Sequence, residues 1–248
     1  MGAGSKTVRE NRIVDVMQAR REFRGHPLHA LTCIDGAAAI AAGSMAVVDH
    51  RGNRMGKVVL DVSLSLDGFS AGADVAKDQP MGAGGERLHA WMSGSKGADQ
   101  TDVRIAGELA ASSGAVITGR RTFDVGIDLW GDDGAFGMPC FVLTHHARER
   151  LTKGPTTFSF VTDGIRNCLD QARRAAGDKD VWLMGAADVA QQFLEAQLVD
   201  EIRIHLVPVL LRAGTRLFDR IDFSPATLQI VRVVESTDAT HMTYRVVR

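Results

Sequence analysis

The segment VWLMGAADVAQQFLEAQLVDEI, residues 181–202, decides the fold. Its first four residues are bulky and apolar, the pattern of a short buried strand. Gly185 breaks that run, and two alanines follow it. Asp188 is a residue type that opens helices, and the stretch to Ala196 reads as a helix. A second, longer strand is predicted over 201–209. Strand, helix and strand in so short a span make a crossover unit, which asks for a parallel sheet.

The same alternation runs outward in both directions. Strands are predicted over 57–63, 115–118, 139–144 and 157–161. Helices are predicted over 86–92, 102–112 and 163–176, the last capped by Asp163 and stopped by Gly177. Residues 228–235 and 240–247 read as a final antiparallel pair, because no helix separates them. The expected class is α/β, with a mostly parallel central sheet and antiparallel C-terminal edge strands. Helices are expected on both faces.

Residues 1–54 read differently. They offer a short charged segment, an Ala-rich run and a polar loop, with few large apolar residues to form a core. We expect a poorly ordered extension there, or a start site called too early, with Met55 the natural beginning of the domain. The domain proper is expected to be 55–248.

The composition narrows the function. A formal net charge of -1 and the absence of a long basic run argue against a general nucleic-acid binder. No apolar run reaches the ~18 residues of a membrane-spanning helix. Cys33, Cys140 and Cys168 are widely spaced and form no C-x-x-C pair, which suits reduced thiols in a cytoplasmic protein.

Two strand-Gly-helix junctions carry the chemistry. In AVITGRRTFDVG, residues 115–126, an apolar strand ends at Gly119 and is followed by Arg120, Arg121 and Thr122. Thr122 and Asp124 are expected to cap the helical turn. Free N–H groups at a helix start beside guanidinium groups suit an anion, so a phosphate is expected at 119–122. The second junction is Gly185, Ala186, Ala187, Asp188 and Val189. Small residues there let a ligand lie against the backbone. Two such junctions at strand C-termini describe a crevice for an extended phosphorylated ligand.

Other features read more plainly. His145 and His146 are adjacent on a strand, point to opposite faces, and suggest no metal. MGAGGE, residues 81–86, follows a proline rather than a strand and reads as a loop. Trp91 and Trp130 are candidates for core packing or for a pocket wall. Asp67, in LDGF, is the candidate catalytic residue; Asp-Gly is equally a tight-turn signal.

SLSLDGFSAG, ITGRRTFD, WLMGAADVAQQFLEAQLVDEIRIHLVPVLL and GTRLF occur in that order. Together they resemble the dihydrofolate reductase superfamily. The branch they look most like is the C-terminal reductase domain of the bifunctional riboflavin-biosynthesis deaminase–reductase, over residues 57–248. The resemblance implies NADPH as cofactor. Arg120 or Arg121 would then hold the 2′-phosphate, and Thr122 with the helix start the pyrophosphate. Thr144 and His145 would lie along the adenosine, and residues 185–189 under the pyrophosphate and nicotinamide. Asp67, with the rest of 65–71, would lie near the nicotinamide and substrate.

There are departures. Leu88 stands where dihydrofolate reductases carry their carboxylate, Phe69 where the riboflavin branch has Lys or Arg, and LLRAG where that branch has a glycine run. The function the resemblance implies is an NADPH-dependent reductase of a small heterocycle, pyrimidine-like or pterin-like. It would act as a cytoplasmic homodimer, with no nucleic-acid or membrane partner. Two alternatives stand beside it: a nucleotide-binding module without turnover, and an interaction protein dimerising through edge strands.

Overall fold

The computed structural model describes residues 55–93, 99–185, 188–219 and 227–248. The expectations for 1–54 and for Ala186 and Ala187 lie outside the described residues.

Alternating apolar strands build one nine-stranded sheet. Its strands in chain order are β1 (Val58–Ser65), β3 (Ser113–Gly119), β4 (Cys140–Leu143), β5 (Leu151–Lys153), β6 (Thr156–Val161), β7 (Asp180–Met184), β8 (Glu201–Val207), β10 (Thr227–Glu235) and β11 (Thr240–Val247). Two further short strands, β2 (Phe69–Ala71) and β9 (Thr215–Arg216), pair separately. Across the sheet the order is β10-β11-β8-β1-β7-β3-β4-β6-β5. The six strands from β8 to β6 run parallel. The C-terminal pair closes one edge antiparallel, as expected. β5 closes the other edge antiparallel, which its three polar-flanked residues do not announce.

Among the described residues five helices flank the sheet: α1 (Ala90–Ser93), after a 3-10 turn at Gly85–His89, α2 (Gln100–Ser112), α3 (Arg120–Gly126), α4 (Ile165–Ala176) and α5 (Asp188–Glu195). The spacing of Cys168, Leu169, Ala172 and Ala176 gives α4 one apolar face, and those four residues are buried with Leu60, Ile117 and Leu183 of the sheet. Val189, Ala190 and Phe193 of α5 join the same core. The opposite face is aromatic: Phe123 of α3 packs with Trp130, Phe136, Phe158 and Trp182. Trp130 stacks on Phe158 at 5.8 Å and 4°, so Trp130 belongs to the core. Full burial of one such Phe contributes about 1.5–3 kcal/mol relative to exposure.

Two expected caps are corrected. Gly164, not Asp163, is the N-cap of α4; Asp163 instead accepts from the Asn167 side chain one turn on. Gly119 is the N-cap of α3 with no side-chain cap, and Asp124 pairs with Arg120 rather than with the helix start. Gly164 sits one position closer to the first helical N–H than Asp163, whereas Thr122 and Asp124 already lie inside α3; both acids find a side-chain partner at i±4. Gly177, with φ 65°, ends α4 as expected.

Candidate functional site

Strands β7 and β3 are neighbours, yet the chain leaves them in opposite directions. After β7 it crosses through α5 to β8; after β3 it crosses through α3 to β4. α5 and α3 lie on opposite faces. The crevice between the two strand ends is a topological switch point, where open α/β sheets hold ligands.

The two glycines set its width. A Cβ at Gly119 would lie 2.9 Å from Val189 Cγ2. A Cβ at Gly185 would lie 3.0 Å from Thr122 Oγ1 and 3.5 Å from Thr118 Oγ1. Gly185 also has φ 103°, a conformation glycine adopts readily. Each junction therefore leans on the other's helix, and glycine keeps the backbone bare there. Thr118 is fully buried, and its hydroxyl has no hydrogen-bond partner among the described residues. Such a group normally finds one.

Gly119, Arg120, Arg121, Thr122, Thr144, His145, Gly185, Asp188 and Val189 all line one open groove along these strand ends. Arg120 Nε spans both oxygens of Asp124, at 2.9 and 2.8 Å. Arg121 Nη2 reaches across the groove to the Val75 carbonyl at 3.1 Å. A guanidinium has five N–H donors, so both keep donors to offer. Thr144 is buried, and its Oγ1 accepts from the His146 amide at 3.1 Å, shaping the turn after β4. His145 and His146 are exposed. Among the described residues no three His, Cys, Asp or Glu side chains are placed to hold a metal ion.

Asp67 is held through both carboxylate oxygens. Its Oδ1 accepts from Ser65 Oγ at 2.6 Å and from the Leu211 amide at 3.1 Å. Its Oδ2 accepts from the Arg212 amide at 2.7 Å. The Ser65 hydroxyl, and then these amides, hold the carboxyl down at about 2. Asp67 does not line the groove. It is an ionised clamp between the β1–β2 turn and the segment after β8. The turn is real: Gly68 N donates to Ser65 O at 2.9 Å, with Gly68 at φ 85°.

Sequence reasoning missed a second set of polar residues on the aromatic side of the sheet. Asp61 of β1 faces His205 of β8, with Nε2 3.2 Å from both carboxylate oxygens. His205 Nδ1 lies 2.7 Å from His241 Nδ1, and His241 Nε2 lies 2.8 Å from Asp102 Oδ1. The Trp91 ring lies 4.4 Å from His205 and is fixed by Nε1 donating to Ser63 Oγ at 3.0 Å. Burial pushes the His241 imidazole below its ordinary value, against the pull of Asp102. His89, on the same wall, is driven down to about 4, first by burial and then by the nearby His205. Asp61, Ser63, His89, Trp91 and His205 line the same groove as Gly185. The available signal was a carboxylate in a largely buried strand, VVLDVSLS.

This sheet order and switch point define a dihydrofolate reductase-like α/β fold. The chain belongs to the RibD C-terminal domain family, whose model matches residues 56–242. It is similar to the uncharacterized protein YyaP of Bacillus subtilis (strain 168), with 25% identity over 65% of this chain and 80% of that one. A Shewanella sp. PV-4 protein with a provisional riboflavin-biosynthesis name superposes with TM-score 0.60 at 23% identity, covering 77% of this chain and 99% of that one. Dihydrofolate reductase from Enterococcus faecalis, complexed with NADP(H), superposes with TM-score 0.50 at 15% identity, over 77% of this chain and 97% of that one. Among the described residues no helix is long and apolar enough to cross a membrane.

Proposed function

We propose that the protein is an NADPH-dependent reductase that transfers hydride to a small heterocycle, a pyrimidine of the riboflavin-pathway type or a pterin. The observation that carries this is the pair of mutually packed glycine junctions at the switch point, with the unpartnered Thr118 hydroxyl beside Gly185. These residues fit an extended dinucleotide. The bare backbone at Gly119 and Gly185 admits its pyrophosphate, and the start of α3 with Thr122 offers N–H and O–H donors. Arg120 or Arg121 takes the 2′-phosphate, and Thr144 and His145 flank the adenosine. Bound there, NADPH supplies the hydride; the chain's part is to orient substrate against it and exclude water.

The test is calorimetric titration of the purified chain with NADPH and NADH. NADPH is expected to bind more tightly. Replacing Arg120 and Arg121 together by Ala is expected to weaken NADPH by about 10- to 100-fold, in line with losing one or two charge-assisted hydrogen bonds, and to leave NADH nearly unchanged. Equal weakening of both, or none, rejects the phosphate site.

A second reading is favoured by the withdrawal of Asp67 into its clamp: a nucleotide-binding module without turnover. A stoichiometric NADPH complex that oxidises no cofactor with 5-amino-6-(5-phosphoribosylamino)uracil or dihydrofolate would support it. The reading also includes a homodimer. β10 is an edge strand that exposes Ile230 at 65% and Val233 at 56%, a liability that edge strands ordinarily cover. A monomer in sedimentation equilibrium would remove that part.

A further inference from the structure

Three contacts join four side chains end to end: Asp61 to His205, His205 to His241, and His241 to Asp102. Each contact is a hydrogen bond only if it holds one proton, and none has room for two. Two carboxylates and two neutral imidazoles together bring two protons, so the three contacts need one more. The Nδ1–Nδ1 separation of 2.7 Å is too short for both rings to bind one ion at the ~2.0–2.1 Å that metals require in tetrahedral geometry. The pair is therefore joined by a proton.

That extra proton has several places to sit. With every proton shifted toward the groove, Asp61 is a carboxylic acid. With every proton shifted away, Asp102 is. Between these limits one imidazole is a cation, and the Trp91 ring, 4.4 Å from His205 and 5.0 Å from His241, offers its π-face to that charge. The other ionisable groups nearby are accounted for. His89 faces Asp61 and His205 from the 3-10 turn and stays neutral near neutral pH. On the far side, a small cavity shared by His205 and His241 is lined by Lys57, Glu108, Glu201, Arg203 and Arg232. These pair among themselves: Lys57 with Glu201 at 2.7 Å, Arg203 with Glu201 at 2.8 Å, and Arg232 with Glu108 at 2.6 Å.

Of the two carboxylate ends, only Asp61 lies on the groove. The Asp61 side chain is 12% exposed, Asp102 is 1% exposed, and β1 pairs Asp61 with Met184, the residue before Gly185. We propose that Asp61 is the acid of the reaction and that His205, His241 and Asp102 are positioning residues that store its proton and return it. This rests on the reductase reading for its role, and on geometry alone for the shared proton. In the step, hydride adds to the carbon of an unsaturated C=N bond of the substrate. The π pair moves to nitrogen, which takes the proton from one Asp61 oxygen. The substrate gains two electrons and two hydrogens, and the reduced dinucleotide supplies the electrons. Losing that proton leaves two in the chain, one in the His205–His241 contact and one in the His241–Asp102 contact, and water in the groove restores the third at Asp61 after product leaves.

The decisive experiment needs no cofactor. In the full chain labelled with ¹⁵N-histidine, His205 and His241 are expected to show an N–N coupling through a shared Nδ1 proton and to titrate as one unit. Asp102→Asn is expected to move the His205 resonances, although Asp102 does not touch His205. Trp91 emission, taken as the difference from Trp91→Phe, is expected to follow the same titration. Independent titration of the two rings with no coupling overturns the proposal. In the second arm, Asp61→Asn is expected to keep NADPH affinity within about twofold while single-turnover oxidation with 5-amino-6-(5-phosphoribosylamino)uracil falls about 100-fold, the usual worth of a general acid. Asp102→Asn is expected to move the pH profile of that rate with KM unchanged. An Asp61→Asn chain as fast as wild type overturns the assignment. If wild type binds no NADPH, the reductase reading fails by itself, and the resonance experiment still decides whether the proton is shared.

Discussion

Gly185→Val is expected to abolish NADPH binding, with a loss of more than about 100-fold in affinity, while the protein still folds. Two independent effects act at this position. The new Cβ would stand 3.0 Å from Thr122 Oγ1, tighter than ordinary contact, and the rest of the side chain would fill the crevice that a pyrophosphate needs. The backbone at φ 103° also disfavours a β-branched residue, at a cost of order 1–3 kcal/mol. That cost is a fraction of the ~5–15 kcal/mol of a typical domain, so thermal unfolding should remain cooperative at a lowered midpoint. Gly185→Ala separates the effects: it keeps most of the strain and adds little bulk. If the Val variant binds NADPH as wild type does, the crevice is not the dinucleotide site.

His89 is expected to make the protein sensitive to mild acid. Its ring edges the groove, but its Nδ1 is wholly buried without a partner among the described residues. Burial, reinforced by His205, takes it from the ordinary 6.5 down to about 4. The folded state thus holds this imidazole neutral, whereas the unfolded chain protonates it below about pH 6.5. The sign follows: the unfolded state binds the extra proton, so stability falls as pH drops from about 6.5 to about 4. The full difference in proton affinity corresponds to about 3 kcal/mol as an upper bound, because the ring is partly exposed. His89→Asn is expected to flatten this part of the pH dependence, read from denaturant midpoints near neutrality and near pH 5. Parallel curves for wild type and variant would show that the loss arises elsewhere, in His241 or in carboxylates.

The parts of the fold that read clearly from sequence are those set by local pattern. Residues 181–202 announce strand, glycine, helix and strand because an apolar run, a breaker and an acidic helix opener fall in order. The antiparallel C-terminal pair is legible because nothing between 235 and 240 can make a crossover. β2 and β9 are not legible: with three and two residues they have no period, and they exist because the Asp67 clamp brings residues 65–71 beside 211–216. The cap of α4 was misplaced because an acid and a glycine sit side by side and propensity alone favours the acid; that of α3 was misplaced because the helix starts at Arg120, ahead of Thr122 and Asp124. The switch-point crevice was readable as two motifs, but their contact through Val189 and Thr122 was not. The Asp61 chain was hidden most completely. Its partners lie 139 to 144 residues apart, except for the two histidines at 36, and each looks ordinary in its own strand or helix.

The clamp has a bearing on variation at the rim. Arg212 occupies the left-handed region, at φ 68°, where a side chain is ordinarily unwelcome. Its amide is anchored by Asp67, 145 residues earlier in the chain. A carboxylate in one loop thus holds a bulky residue in another, in a backbone conformation that glycine adopts most readily. The two positions are thereby linked: Asp67→Ala is expected to release the Arg212 amide and, with it, the left-handed turn at the rim.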